Sequence, residues 1–161
     1  MRSKGSVMSE KLMERIGPGV TLVSDGAIGT LLMERGLRAG MCPESFNLDE
    51  PEVLGEIALL YVEAGADIVH TNTFGASSLN LQSHGMGDNV EAINRIGITA
   101  VQRAVGDRAM VSLSCGPTGR ILEPYGDAKP DAVYGSYEQQ IGFGVDDGID
   151  AVTVETMIDL E

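Results

Sequence analysis

Apolar positions along this chain alternate between a period of two and a helical period, and the switches fall at glycine and proline. Val20-Thr21-Leu22-Val23-Ser24 is a short β-branched run that ends in Asp25-Gly26, and residues 27–35 then read as a helix that stops before Gly36. A loop through Gly40, Cys42 and Pro43 leads to Asp49-Glu50-Pro51-Glu52. That stretch combines a cap candidate, first-turn carboxylates and a proline, the signature of a helix start. Val53, Leu54, Ile57, Leu60 and Tyr61 follow at helical spacing until Gly65.

Residues 66–71 predict a second strand. Asp88 with Glu91 predicts a capped helix whose Val90, Ile93, Gly97, Ala100, Val101 and Ala104 share one face, ended by Gly106-Asp107. Residues 109–114 give a third strand, residues 116–130 a Gly/Pro-rich loop, and residues 131–145 a helix interrupted by Gly135, Gly142 and Gly144. Residues 150–154 give a fourth strand, with Met157-Ile158-Asp159-Leu160 opening another helix. Ahead of all this, residues 1–19 read as a loosely held leader with one short helix over 9–16, stopped by Gly17-Pro18-Gly19.

An internal repeat accompanies the alternation. Residues 65–73 align without gaps on 148–156, matching at the Gly, the Asp, one Val and the final Thr, and they make Asn72 and Glu155 equivalent. Strands alternating with helices indicate βαβ units and a parallel sheet, as in a (β/α) barrel or a doubly wound sheet. The barrel is preferred because every strand finishes in polar residues: Asp25, Thr71-Asn72-Thr73, Ser114-Cys115 and Glu155-Thr156. Barrel enzymes build their sites on that face.

Composition narrows the possibilities. With 161 residues and 43% hydrophobic content the chain can bury a core, and Lys+Arg 11 against Asp+Glu 24 leaves a net charge of −13. That field disfavours nucleic acid and anionic membrane surfaces as partners. No apolar run is long enough to span a bilayer and no signal-peptide core is present, so a cytoplasmic protein is expected. Only Cys42 and Cys115 occur, too few for a disulfide framework or a four-cysteine zinc site.

Several residues could carry chemistry. Asp25-Gly26-Ala27-Ile28-Gly29-Thr30 joins a strand to a helix, where exposed backbone N–H groups can hold a carboxylate; the plain alternative is a tight turn. Thr30 does not complete a phosphate loop, since the Walker lysine is missing. Asn72 and Glu155 are either polar caps at the sheet edge or a carboxamide and carboxylate that hold an ammonium group. His70 shares a strand face with Asn72 and reads as a satisfied interior histidine, with general base or ligand as the alternative. His84 reads as a loop residue. No pair among Cys42, Cys115, His70 and His84 has metal-ligand spacing, so no metal site is expected.

Four motifs in order carry a resemblance: Ser24-Asp25-Gly26-Ala27-Ile28-Gly29-Thr30, the stretch Glu-Ala-Gly-Ala-Asp-Ile-Val-His-Thr-Asn-Thr-Phe over 63–74, Cys-Gly-Pro-Thr-Gly-Arg-Ile-Leu-Glu-Pro-Tyr-Gly-Asp over 115–127, and Val-Glu-Thr-Met over 154–157. Together they resemble the homocysteine S-methyltransferase family. The resemblance implies a (β/α)8 TIM-type barrel that binds homocysteine at its C-terminal mouth, with zinc holding the substrate sulfur as the thiolate. The methyl donor it implies is methylcobalamin, a betaine-type compound or S-methylmethionine. It places Asp25, Gly26, Gly29, Thr30, Asn72, Thr73 and Glu155 at the substrate, with His70 and Thr156 as further candidates and Glu155 on the ammonium group. His70 stands where many relatives carry glutamate, which leaves another thiol open as substrate for a corrinoid-dependent enzyme.

The family's zinc cysteines belong to later strands, beyond Glu161. Residues 20–161 are therefore expected to be the first half of the barrel, about four β/α units, with no catalytic residue of their own and no activity alone. Two partners are implied, the thiol substrate and a corrinoid protein or domain. An open sheet with an exposed apolar interior predicts a homo-oligomer. A non-catalytic half-barrel that serves as an assembly module is the competing expectation.

Overall fold

The structure is a computed structural model that describes residues 12–157. Its sheet is built from three short parallel strands in chain order: β1 (Ile68–His70), β2 (Met110–Cys115) and β3 (Ala151–Val154). Val69 lies beside Val111, and Ser112 to Cys115 run beside Ala151 to Val154. The crossovers are helical, as a parallel sheet requires. Two long helices, Pro51–Glu63 and Val90–Val105, join β1 to the preceding segment and to β2, and Pro130–Asp146 joins β2 to β3.

Numbered in chain order, the helices are α1 (Gly29–Glu34), α2 (Phe46–Asp49), α3 (Pro51–Glu63), α4 (Ser78–Ser83), α5 (Val90–Val105) and α6 (Pro130–Asp146), with 3-10 turns at Pro43–Ser45 and Gly87–Asn89. The apolar stripes of α3 and α5 face each other and the sheet. Leu54, Ile57 and Ala58 meet Val69, Val101, Val105 and Val111 in one buried cluster. A second cluster, Ile98, Leu113, Cys115 and Ile149, lies between α5, α6 and the sheet.

Period two along the strands sends Val69, Val111 and Leu113 into these clusters, so the opposite face carries His70, Ser112, Ser114 and Thr153. His70 Nε2 and Ser112 Oγ both lie within hydrogen-bond reach of Thr153 Oγ1, at 2.8 and 2.7 Å. Towards the carboxyl ends of the strands the face away from the helices is polar, and Ile68, Met110 and Ala151 are its apolar positions at the amino ends, so the expectation of an exposed apolar interior does not hold at the cavity end.

The repeat is structural. Gly65 and Gly148 both adopt left-handed backbone, with φ +100° and +73°. Two residues later, Asp67 Oδ2 accepts from Val23 N at 3.0 Å and Asp150 Oδ2 from Val111 N at 2.9 Å. Each aspartate clasps the segment before its own strand.

Three expectations need correction. Residues 20–24 form no strand but a single parallel bridge, Ser24 to Ile68. The segment has a neighbour on one side only, and a carboxylate takes the Val23 amide; Val20 and Val23 stay exposed. Asp88 does not cap α5: it lies in the Gly87–Asn89 turn, and Asn89 precedes the helix without a side-chain cap. The loop through Pro43 contains a 3-10 turn and α2, and α4 stands where no helix was expected.

Elsewhere the elements follow the pattern with shifted ends. The helix expected over 27–35 begins at Gly29. The interrupted stretch 131–145 is continuous over Pro130–Asp146, anchored by buried Ser136 and Gln140. Residues 12–15 are helical, and the expected start of that helix lies outside the described residues; of the helix expected to open at Met157, only Met157 is described, and it is not helical.

Candidate active site

The carboxyl ends of the strands surround a cavity of about 430 Å³. One wall is the Asp25–Gly29 turn; the floor is His70, Thr71, Asn72, Ser114 and Thr153; Pro43, Glu44, Phe74 and Glu155 complete the rim.

Asp25 is committed to His70. Its Oδ2 accepts from the His70 main-chain N at 2.7 Å, and its Oδ1 lies 2.6 Å from Nδ1. A carboxylate only accepts, so Nδ1 carries the hydrogen and Nε2 faces the Thr153 hydroxyl. The hydrogen bond to Asp25, aided by the charges of Asp25 and Glu155, raises the His70 pKa above its ordinary value despite the opposing effect of burial.

Glu155 follows β3 directly, and its Oε1 accepts from the Ser114 hydroxyl at 2.7 Å. The next residue, Thr156, has φ 62°, a left-handed conformation uncommon outside glycine. The chain thus turns sharply just after the rim carboxylate. Glu44 is 2% exposed: its Oε1 accepts from Gly75 N at 2.6 Å and its Oε2 from Cys42 Sγ at 3.0 Å. Asn72 donates through Nδ2 to Pro43 O at 2.9 Å and to Asn47 Oδ1 at 2.8 Å.

Of the residues singled out in the sequence, Asp25, Gly26, Gly29, His70, Asn72 and Glu155 are brought together at this cavity, and Thr30, Thr73 and Thr156 are not among its lining. Thr30 is exposed on α1. Thr73 is buried, donating to Ser114 O at 2.9 Å beside Thr71. His84 lies at the end of α4, away from the cavity.

Sequence reasoning missed Glu44, Asn47, Phe74 and Thr153 and noted Ser114 only as a polar strand end. The polar alternation Ser112/Ser114 and Thr153/Glu155 was a usable sign for two of them. Asn47 acts through contacts with distant segments, and Glu44 through Gly75 as well as nearby Cys42, so their local sequence carried no sign.

The thiols do not fit a zinc site. Burial, then the hydrogen bond and charge of Glu44, push Cys42 up to about 12, and burial with the Glu155 charge pushes Cys115 up to about 11. Both thiols are therefore protonated at neutral pH in the metal-free chain, and they lie in separate core clusters. Among the described residues, no three His, Cys, Asp or Glu side chains converge as metal ligands.

The family described as homocysteine S-methyltransferase matches residues 22–161, which include every cavity residue. The chain belongs to the homocysteine S-methyltransferase family. It is 36% identical over 164 residues to methionine synthase of Mycobacterium leprae (strain TN), covering 92% of this chain and 13% of that protein. It is 36% identical over 154 residues to methionine synthase of Mycobacterium tuberculosis (strain ATCC 25618 / H37Rv), covering 86% of this chain and again 13% of the relative. The chain therefore spans a small fraction of these relatives' length.

In fold it is similar to the homocysteine methyltransferase MmuM from Escherichia coli. In the metallated form the TM-score is 0.73 at 20% identity, covering 91% of this chain and 56% of that one. The oxidised form gives 0.71 at 21% identity, covering 84% and 53%. This member of the family is thus a partial (β/α)8 barrel, and its cavity sits where barrel enzymes place their sites. No described helix is long and apolar enough to cross a membrane.

Proposed function

We propose that this chain supplies the amino-acid-binding part of a homocysteine S-methyltransferase of the methionine synthase kind, residues 20–161 being the first four β/α units of the barrel. The observation that carries the reading is the single cavity that Glu155 and Asn72, equivalent in the repeat, line together with the Asp25–Gly29 turn. Glu155 receives the substrate ammonium. Its Oε1 is oriented by Ser114, and a hydrogen-bonded ammonium–carboxylate contact is stronger than one between neutral groups. Gly26 and Gly29 give the substrate carboxylate close approach to the backbone. Asp25 contributes through His70, which it orients, and Thr30, Thr73 and Thr156 support the turns around them.

In the complete reaction the substrate thiol must lose its proton, since its ordinary pKa near 8.5 leaves it mostly protonated at neutral pH. Zinc in the family's complete domain supplies that chemistry. The described residues do not fit the metal. Methylcobalamin on a separate corrinoid domain is the proposed methyl donor. Among the described residues the outer edge of β3 has no strand partner, which supports self-association as the proposed state of the 161-residue chain.

Calorimetric titration of the full chain with homocysteine tests the site. Weak binding is expected, and Glu155→Gln should weaken it about tenfold, the order of one hydrogen bond to a charged group. Equal affinities in the two proteins would remove Glu155 from the site.

A further inference from the structure

Asn47 is fully buried in α2 and lies beneath the cavity wall. Its Nδ2 is 2.8 Å from Asn72 O and 2.9 Å from Ile93 O. Both are carbonyl oxygens, which only accept, so the Asn47 amide has one permitted orientation. Its Oδ1 must then point at the Asn72 side chain, which answers with Nδ2 at 2.8 Å. Pro43 O, a third acceptor, lies 2.9 Å from the same Nδ2. Inverting the Asn72 amide would set oxygen against oxygen at both contacts.

Asn47 has no slack to permit that inversion. A Cβ added to Gly97 of α5 would lie 2.5 Å from Asn47 Nδ2, so the helix closes over the amide. Both Asn72 Nδ2 hydrogens are therefore spent inside the protein, and its Oδ1 has no hydrogen-bond partner among the described residues. The other cavity acceptors divide in the same way. Asp25 and Glu44 have each carboxylate oxygen engaged, whereas Glu155 uses Oε1 alone.

We propose that Asn47 is a positioning residue: by fixing the Asn72 amide it leaves Asn72 Oδ1 and Glu155 as acceptors for a ligand, so that this wall selects an ammonium group and rejects a carboxylate. The inference rests on the reading of the cavity as an amino-acid site and assigns which end of the amino acid faces Asn72.

Two measurements on the full chain test it. In the 15N-labelled protein without ligand, the Asn47 and Asn72 side-chain NH2 protons should exchange with solvent far more slowly than those of exposed asparagines. Fast exchange at Asn72 overturns the proposal without any variant having to fold. The second measurement compares two halves of homocysteine by NMR titration: 3-aminopropane-1-thiol, which keeps the amine, and 4-sulfanylbutanoate, which keeps the carboxylate. The chain should prefer the amine, and Asn47→Leu should reduce that preference about tenfold, because the freed amide can turn its NH2 to the cavity. General loosening would weaken both ligands alike, so an unchanged preference in folded Asn47→Leu refutes the positioning role. Binding of 3-aminopropane-1-thiol without binding of homocysteine would remove the substrate reading and leave the role of Asn47 supported. If neither probe binds, the selection of ammonium is overturned.

Discussion

Asp25 grips His70 at the ring and at the main chain, and that double hold links the histidine to pH. The folded-state pKa of His70 is raised above its ordinary 6.5, so above that pH the folded chain keeps a proton that the unfolded chain has released. Stability from this contact is fully present below about 6.5 and is lost as pH rises through the folded value. His70→Gln should remove that fall, as read from urea unfolding between about pH 6 and pH 9. The same pH slope in both proteins would show that the pair contributes no linkage. Period two along the strand made the interior position of His70 legible in the sequence. Its partner was not legible, because Asp25 lies 45 residues away and only the fold brings them together. For the same reason the sequence pointed Asp25 at a ligand without showing that its oxygens also hold the histidine.

Among the elements, α5 shows how one helix serves both core and site. Its Val101 and Val105 enter the main cluster, and Gly97 leaves the space that Asn47 fills. Gly97→Ala should gain up to about 1 kcal/mol of helix propensity. It should nevertheless be destabilising overall, by about 1–3 kcal/mol, because the added methyl meets a buried side chain held by three hydrogen bonds. Gly135→Ala in α6 is the control: nothing lies within 4 Å of its Cβ position, so it should stabilise by about 0.5–1 kcal/mol. Opposite shifts of the unfolding midpoint are expected, and shifts of the same sign would contradict the packing at Gly97. The long amphipathic helices α3 and α5 could be read from spacing alone. Short α2 and α4 could not, because their stability comes from contacts such as Asn47 to Asn72 and Ser78 to Ser136 across distant segments. The Ser77 hydroxyl that accepts from Asn80 N was the one local sign of α4.

At the scale of the whole molecule, β3 has a neighbour on one side only among the described residues, and Val154 on it is 61% exposed. The polar inner face gives little apolar drive, so association of the 161-residue chain is expected through this edge. Light scattering should show a mass above 17.0 kDa that rises with concentration, and Val154→Lys should reduce it. A single 17.0 kDa species at every concentration would exclude the edge as an interface. The alternation of elements, the parallel sheet and the repeat were all legible, because they arise from periodicity and from glycines at strand entries. The alternation of Ser112 with Ser114 and of Thr153 with Glu155 was readable along each strand, whereas the meeting of His70, Ser112 and Thr153 in one hydrogen-bonded group was not, because it needs the strands in register. The paired aspartates carry one further consequence. Asp67 and Asp150 each reach back to an amide of the segment that precedes them in the sheet, and strand order follows chain order. Each aspartate therefore finds its partner amide on chain that is synthesised before it, so these two clasps can close in the order in which the chain leaves the ribosome.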